Sequence, residues 1–109
     1  MSPFISIATK KGGIIKVVLE ETRYLESDDN GTWFHFTDGT KKYFTKTLRT
    51  FELILERLGF CRVSHEVVIN LEHYNGIPET NTVELEGGKK IHITKKYIHL
   101  LLSRINLVP

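Results

Sequence analysis

The sequence predicts a mainly β domain of about ten short, mostly antiparallel strands in small sheets, joined by two helices. Three observations carry that expectation. Runs of β-branched and aromatic residues are short and are cut by Gly, Asn and Asp turn signals. Only two segments, about 47–58 and 95–105, space their apolar residues at the helical period. Strand also follows strand without the crossover helices that parallel pairing requires.

Phe4, Ile5 and Ile7 open the first strand, and Gly12-Gly13 turns the chain into a second at 14–19. Glu20-Glu21-Thr22 is a polar corner before a strand at Tyr24-Leu25-Glu26. Asp28-Asp29-Asn30-Gly31 is the strongest turn signal present, with Asn-Gly expected to supply the positive φ of a hairpin. Trp33, Phe34 and Phe36 form the next strand, which Asp38-Gly39 turns into Lys42-Tyr43-Phe44. The first helix places Leu48, Phe51, Leu55 and Leu58 on one stripe with Ile54 beside them; Thr47 caps its start and Gly59 ends it with positive φ. Strands resume at 67–69, near 74–77, at 83–85 and at 91–93, with Gly87-Gly88 closing the last hairpin. The final helix carries Ile98, Leu101, Leu102 and Ile105 on one face, with Thr94 as its cap.

Residues 1–109 read as a single domain, since 40% hydrophobic and 26% charged residues suit one folded core. The net charge is only +2, so any anion-binding surface must come from local clustering. Cys61 is the one cysteine; it excludes a disulfide framework, fits a reducing compartment and reads as buried filler. No basic-then-apolar leader is visible, and no apolar run approaches the ~18 residues that cross a bilayer. A cytoplasmic chain without membrane contact is expected.

Enzymatic chemistry lacks a convergent set. No serine sits in a Gly-x-Ser-x-Gly elbow, and Cys61 has no recognisable partner histidine. His65-Glu66 lacks the second histidine of a zinc-protease helix, position 69 being Ile69. The other histidines show no ligand spacing, and the glycine pairs are too short to cradle nucleotide phosphates. No catalytic residue, metal, cofactor or small-molecule substrate is therefore expected. Two clusters could carry chemistry, the plainer alternatives being solvated surface lysines and a strand-end histidine packed on a neighbour. Lys95 and Lys96 occupy the first turn of the last helix, where the dipole is positive and cations are disfavoured by about 0.3–1 kcal/mol each. A phosphate would reverse that penalty. Arg62, Ser64 and His65 sit on a polar elbow before an apolar strand, where His65 can donate to guanine or bind phosphate when protonated.

The chain resembles the LytTR DNA-binding domain over nearly everything from Ile5 to Ile105. The anchors are Tyr24-Leu25-Glu26-Ser27, Thr37-Asp38-Gly39 and Thr47-Leu48. Phe60-x-Arg62-Val63-Ser64-His65 then leads to Val68-Ile69-Asn70, followed by Val83-x-Leu85, Gly88, Ile91 and Thr94-Lys95-Lys96-Tyr97. The resemblance implies three small sheets with helical additions, whose loops enter successive major grooves on one face of bent DNA. It implies contacts at the turn carrying Asn30 and Thr32, at Ser64-His65-Glu66, and at Lys95-Lys96. The implied partner is double-stranded promoter DNA, met by two copies on repeated half-sites, with a homodimer on DNA as the matching assembly. The implied role is that of a bacterial transcriptional regulator, the output domain of a two-component response regulator.

Within that role, Lys95, Lys96 and Arg62 would bind phosphates, with Lys10, Lys11, Lys41 and Lys42 as candidates by charge alone. His65 and Lys96 would read bases, assisted by Asn30 or Thr32. His65-Glu66 departs from the family's usual cationic or amide residue followed by serine. Glu66 would repel phosphate, or accept from cytosine N4. The lysine pair supplies point charges and less bidentate base recognition. Glu66 and the weak net charge favour the alternative, a protein-interaction or regulatory module of this fold with little DNA affinity.

Overall fold

The computed structural model describes residues 2–109. In chain order its elements are β1 (Phe4–Ala8), β2 (Ile14–Val18), β3 (Thr22–Asp28), β4 (Gly31–Phe36), β5 (Lys41–Phe44), α1 (Leu48–Leu55), β6 (Phe60–Arg62), β7 (Val67–Asn70), β8 (Thr82–Leu85), β9 (Lys89–His92) and α2 (Lys95–Leu102). Short 3-10 turns occupy Leu19–Glu21, Glu56–Leu58 and Leu71–His73. A central antiparallel sheet runs β5-β4-β3-β7-β6, and β1–β2 and β8–β9 are separate antiparallel hairpins.

The period-two alternation of strands divides the central sheet between two cores. Leu25, Phe34, Phe60 and Val68 face α1 and the β1–β2 hairpin, meeting Ile7, Val17, Leu48, Phe51 and Leu55. Tyr24, Cys61 and Ile69 face the opposite side, where Val83, Leu85, Ile91, Ile93 and Leu101 close over them. Phe34 anchors the first core through edge-to-face contacts with Phe44 and Phe51 at centroid distances of 5.2 and 4.8 Å. Full burial of side chains this size contributes about 1.5–3 kcal/mol each. Buried Asn70 ties the layers together, its Nδ2 donating to the carbonyls of Leu19 and Thr22, both at 2.9 Å.

Several local expectations change. Residues 74–77 form no strand; only Tyr74 bridges Leu85, after the 3-10 turn at Leu71–His73. Arg62, expected on the polar elbow with Ser64 and His65, instead ends a strand, Phe60–Arg62, that pairs with β7. Thr47 caps α1 by accepting from Thr50 N–H at 3.3 Å, and Gly59 ends the following 3-10 turn at φ 93°. Thr94 stands at the N-cap of α2, yet its hydroxyl makes no cap bond; its backbone carbonyl accepts from Tyr97 N–H at 2.9 Å. Regular α-helix in α2 stops at Leu102 and continues as turns, although Ile105 still packs on the second core.

Candidate nucleic-acid interface

The β6–β7 hairpin presents residues 63–66 at its tip, closed by Val63 N–H donating to Val67 O at 3.0 Å. Ser64 supports the tip from inside. It is buried, and its Oγ accepts from the N–H groups of Glu66 (3.2 Å) and Val67 (3.1 Å). Arg62 fastens the same loop to α1. Its Nε donates to Ser64 O at 2.8 Å, Nη2 donates to His65 O, and Nη1 donates to Glu52 Oε1 at 2.9 Å. Arg62 is only 8% exposed and Glu52 12%. Strand alternation explains this: two residues past Phe60, Arg62 lies on the α1 side of the sheet. The cation expected among the phosphate ligands has its guanidinium committed within the molecule. His65 and Glu66 remain exposed.

The turn between β3 and β4 lies beside the hairpin, because Ser27 N–H donates to Glu66 O at 2.9 Å. Its two free residues are Asp29 and Asn30, since Asp28 still pairs with Gly31. Asp29, not the Asn30-Gly31 pair, takes the positive φ, at 53°. Gly31 is required for space instead: a Cβ there would lie 2.2 Å from the Tyr43 ring and 2.7 Å from Phe44 O. Tyr43 hydroxyl donates to Asp28 O and Trp33 Nε1 to Asp28 Oδ2, both at 3.0 Å, so the turn rests on an aromatic base. Asn30 is exposed. Thr32 is fully buried, its hydroxyl donating to Lys46 O at 2.8 Å, so it holds the turn from below and faces no solvent.

The start of α2 completes the edge. Thr94 N–H donates to Val63 O at 3.0 Å, which fastens the helix start to the hairpin tip. Tyr97 lies under both Arg62 and Lys96, with ring centroid distances of 5.8 and 5.4 Å. One cleft is lined by Ser64, His65, Glu66, His92 and Thr94. A second runs from Asp29 and Gly31 through Thr47 and Arg49 to His65. His65 borders both clefts, and Lys95 and Lys96 are exposed next to the first. The three segments expected from sequence therefore share one edge of the molecule.

Arg49 was not among the expected residues. Its side chain is 68% exposed and pairs with Glu52 at 3.1 Å. The signal that singled out Lys95 and Lys96 was available for Arg49 too: like α2, α1 has no acidic residue in its first turn. Asp29 and Glu66 intersperse negative charge along the same edge.

The LytTr DNA-binding domain family model matches residues 12–106. A solved LytTr DNA-binding domain from Bacillus cereus, in a protein described as a methyl-accepting/DNA response regulator, superposes with a TM-score of 0.76. That match has 20% identity and covers 98% of this chain and 99% of the other, so it speaks to the fold. No curated protein matches the chain. Among the described residues, no helix is long and apolar enough to cross a membrane.

Proposed function

Because this chain belongs to the LytTR family of DNA-binding domains, we propose that it binds double-stranded promoter DNA through the edge bearing Asn30, Arg49, His65, Glu66, Lys95 and Lys96. It serves as the DNA-contacting part of a bacterial transcriptional regulator of the response-regulator type, with two copies on repeated half-sites. The observation that supports this most is the bond between Thr94 and Val63, which brings the uncapped, lysine-bearing start of α2 against the loop carrying His65. Lys95, Lys96 and Arg49 neutralise phosphates, aided by the backbone N–H groups that open α2. His65 and Lys96 reach base edges, with Asn30 assisting from the neighbouring turn. Glu66 accepts from a base amino group such as cytosine N4, because a carboxylate held against phosphate would be repelled. Arg62, Ser64 and Thr32 fix the loops that present these groups.

The test is a pair of substitutions. Lys96→Ala and His65→Ala should each weaken binding to a selected operator by roughly 1–3 kcal/mol, the range of a lost base contact, while circular dichroism stays unchanged. Unaltered affinity of both variants in a gel-shift titration would remove this edge as the reading surface.

A further inference from the structure

Among the described residues, one open strand edge lacks the protection the others have. β5 carries Lys41 and Lys42, β2 carries Lys16, and β9 carries Lys89 and Lys90. The outer groups of β8 are occupied by residues 73–76, through Asn75 N–H to Glu84 O, Glu84 N–H to Gly76 O, and Glu86 N–H to His73 O, at 2.8–2.9 Å. On β6, Phe60 O accepts from Arg104 Nη1. β1 reads Phe-Ile-Ser-Ile-Ala, with no charge, no proline and an unbroken register against β2. Charge, proline and bulges are what keep natural edges from pairing with another chain.

The register fixes which groups are free. Leu19 N–H donates to Pro3 O at 3.0 Å and Thr9 N–H to Gly13 O at 2.8 Å, at the two ends of the hairpin. Alternation between them turns the N–H and C=O groups of Ile5 and Ile7 toward β2, and those of Phe4, Ser6 and Ala8 outward. None of these outward groups finds a backbone partner among the described residues. The open face of the same hairpin is apolar at both ends, with Phe4 46% and Ile14 74% exposed.

We propose that β1 pairs antiparallel with β1 of a second copy of this chain, about a two-fold axis at Ser6. That register uses all three outward residues and forms about six backbone hydrogen bonds. It sets Ser6 against Ser6 and the bulky Phe4 against the second copy's Ala8. Ala8 is cross-strand to Ile14, so the Phe4 ring, whose one face already holds Lys16 Nζ 4.6 Å from its centroid, covers a small residue and reaches the exposed isoleucine beyond. Lys16 pairs with Ser6 within each copy, so the two Lys16 residues stand three strand spacings apart, about 14 Å, and scarcely repel. The fit of Phe4 to Ala8 about a small central residue is a property of this strand paired with itself. The cleft beside β1, lined by Ile5, Ser6, Ile7, Ala8, Lys46, Phe51 and Ile54, contains none of the proposed DNA-contacting residues. β1 precedes residues 12–106, so the family model does not include it, while the superposed LytTr domain does span it.

This pairing gives the proposed two-copy arrangement an interface, and its test uses no DNA, so either reading can fail alone. Opposed residues of a hydrogen-bonded pair lie about 5.5 Å apart at Cα, within disulfide reach. Under mild oxidation Ser6→Cys should form a covalent dimer at least tenfold faster than Ile14→Cys, although Ile14 is among the most exposed side chains. Buried Cys61 is common to both variants. In sedimentation experiments the unaltered chain should shift from monomer to dimer with concentration. Ser6→Pro, which sacrifices only an outward N–H, should stay monomeric, with Ser6→Lys as the substitute if proline prevents folding. Equal cross-linking rates, or an unaltered chain that stays monomeric over the same range, would overturn the proposal. Binding of half-site DNA, measured separately, reports on the other reading.

Discussion

Arg62 makes three hydrogen bonds from one buried guanidinium, two of them to the backbone of the loop that carries His65. Removing it leaves Glu52 largely buried without its interior partner and frees the loop carbonyls. Arg62→Ala should therefore cost about 2–4 kcal/mol in urea unfolding. It should also speed amide exchange at Ser64 and Glu66. Arg62→Lys should rescue little, because one ammonium cannot reproduce the fork. Arg49→Ala is the contrasting case. Its own side chain is 68% exposed and Glu52 keeps its interior partner Arg62, so stability should change by less than about 0.5 kcal/mol. DNA affinity should fall, and the salt slope should become shallower by about one. These two arginines mark what was legible at this scale. Arg62 next to Ser64 and His65 reads as a surface cation only if the strand starting at Phe60 is overlooked. Arg49 stands out less in the sequence, a single cation in a first turn being a weaker anomaly than the Lys95-Lys96 pair.

At the level of elements, the β3–β4 turn was predicted in the right place for the wrong reason. Asn30-Gly31 was expected to accommodate the positive φ of the turn, whereas Asp29 takes the left-handed conformation and Gly31 makes room for Tyr43. That distinction needs the register and the ring of a strand further along the chain, neither visible in a local reading. Gly31→Ala should destabilise by about 1–3 kcal/mol in thermal or urea unfolding, as expected for overpacking against a ring and a carbonyl. His35, on β4, stacks on Tyr24 at 4.2 Å, and burial holds its pKa below the ordinary value of 6.5 despite the Glu26 carboxylate beside it. As pH falls below about 6.5, the unfolded chain takes up this proton before the folded chain does, so stability declines until the lower folded pKa is passed. The thermal midpoint should therefore drop on acidification across that window, and drop less in His35→Gln. An identical pH profile for both proteins would remove His35 as a source of the acid sensitivity.

Over the whole molecule, hydrophobic period and turn chemistry were enough to reveal a β domain with two helices. The split of the central sheet into two cores follows from the alternation of Leu25 and Tyr24, and of Phe60 and Cys61, once the strands are placed. What a linear reading could not supply was burial. Thr32, Arg62 and Ser64 look like surface donors until their partners, Lys46 O, Glu52 and the 64–67 backbone, come together from distant segments. The net charge of +2 does not describe the proposed interface either, because Lys95, Lys96, Arg49 and His65 gather on one edge, interspersed with Asp29 and Glu66. If that edge neutralises about four to six phosphates, log K should fall against log salt with a slope near −4 to −5. The most direct measurement is the affinity of the unaltered chain and of Lys96→Ala for one duplex, titrated by fluorescence anisotropy across a salt series. The predicted result is that steep slope, shallower by about one in the variant. Binding that ignores salt, or a variant whose slope and affinity match the unaltered chain, would contradict it.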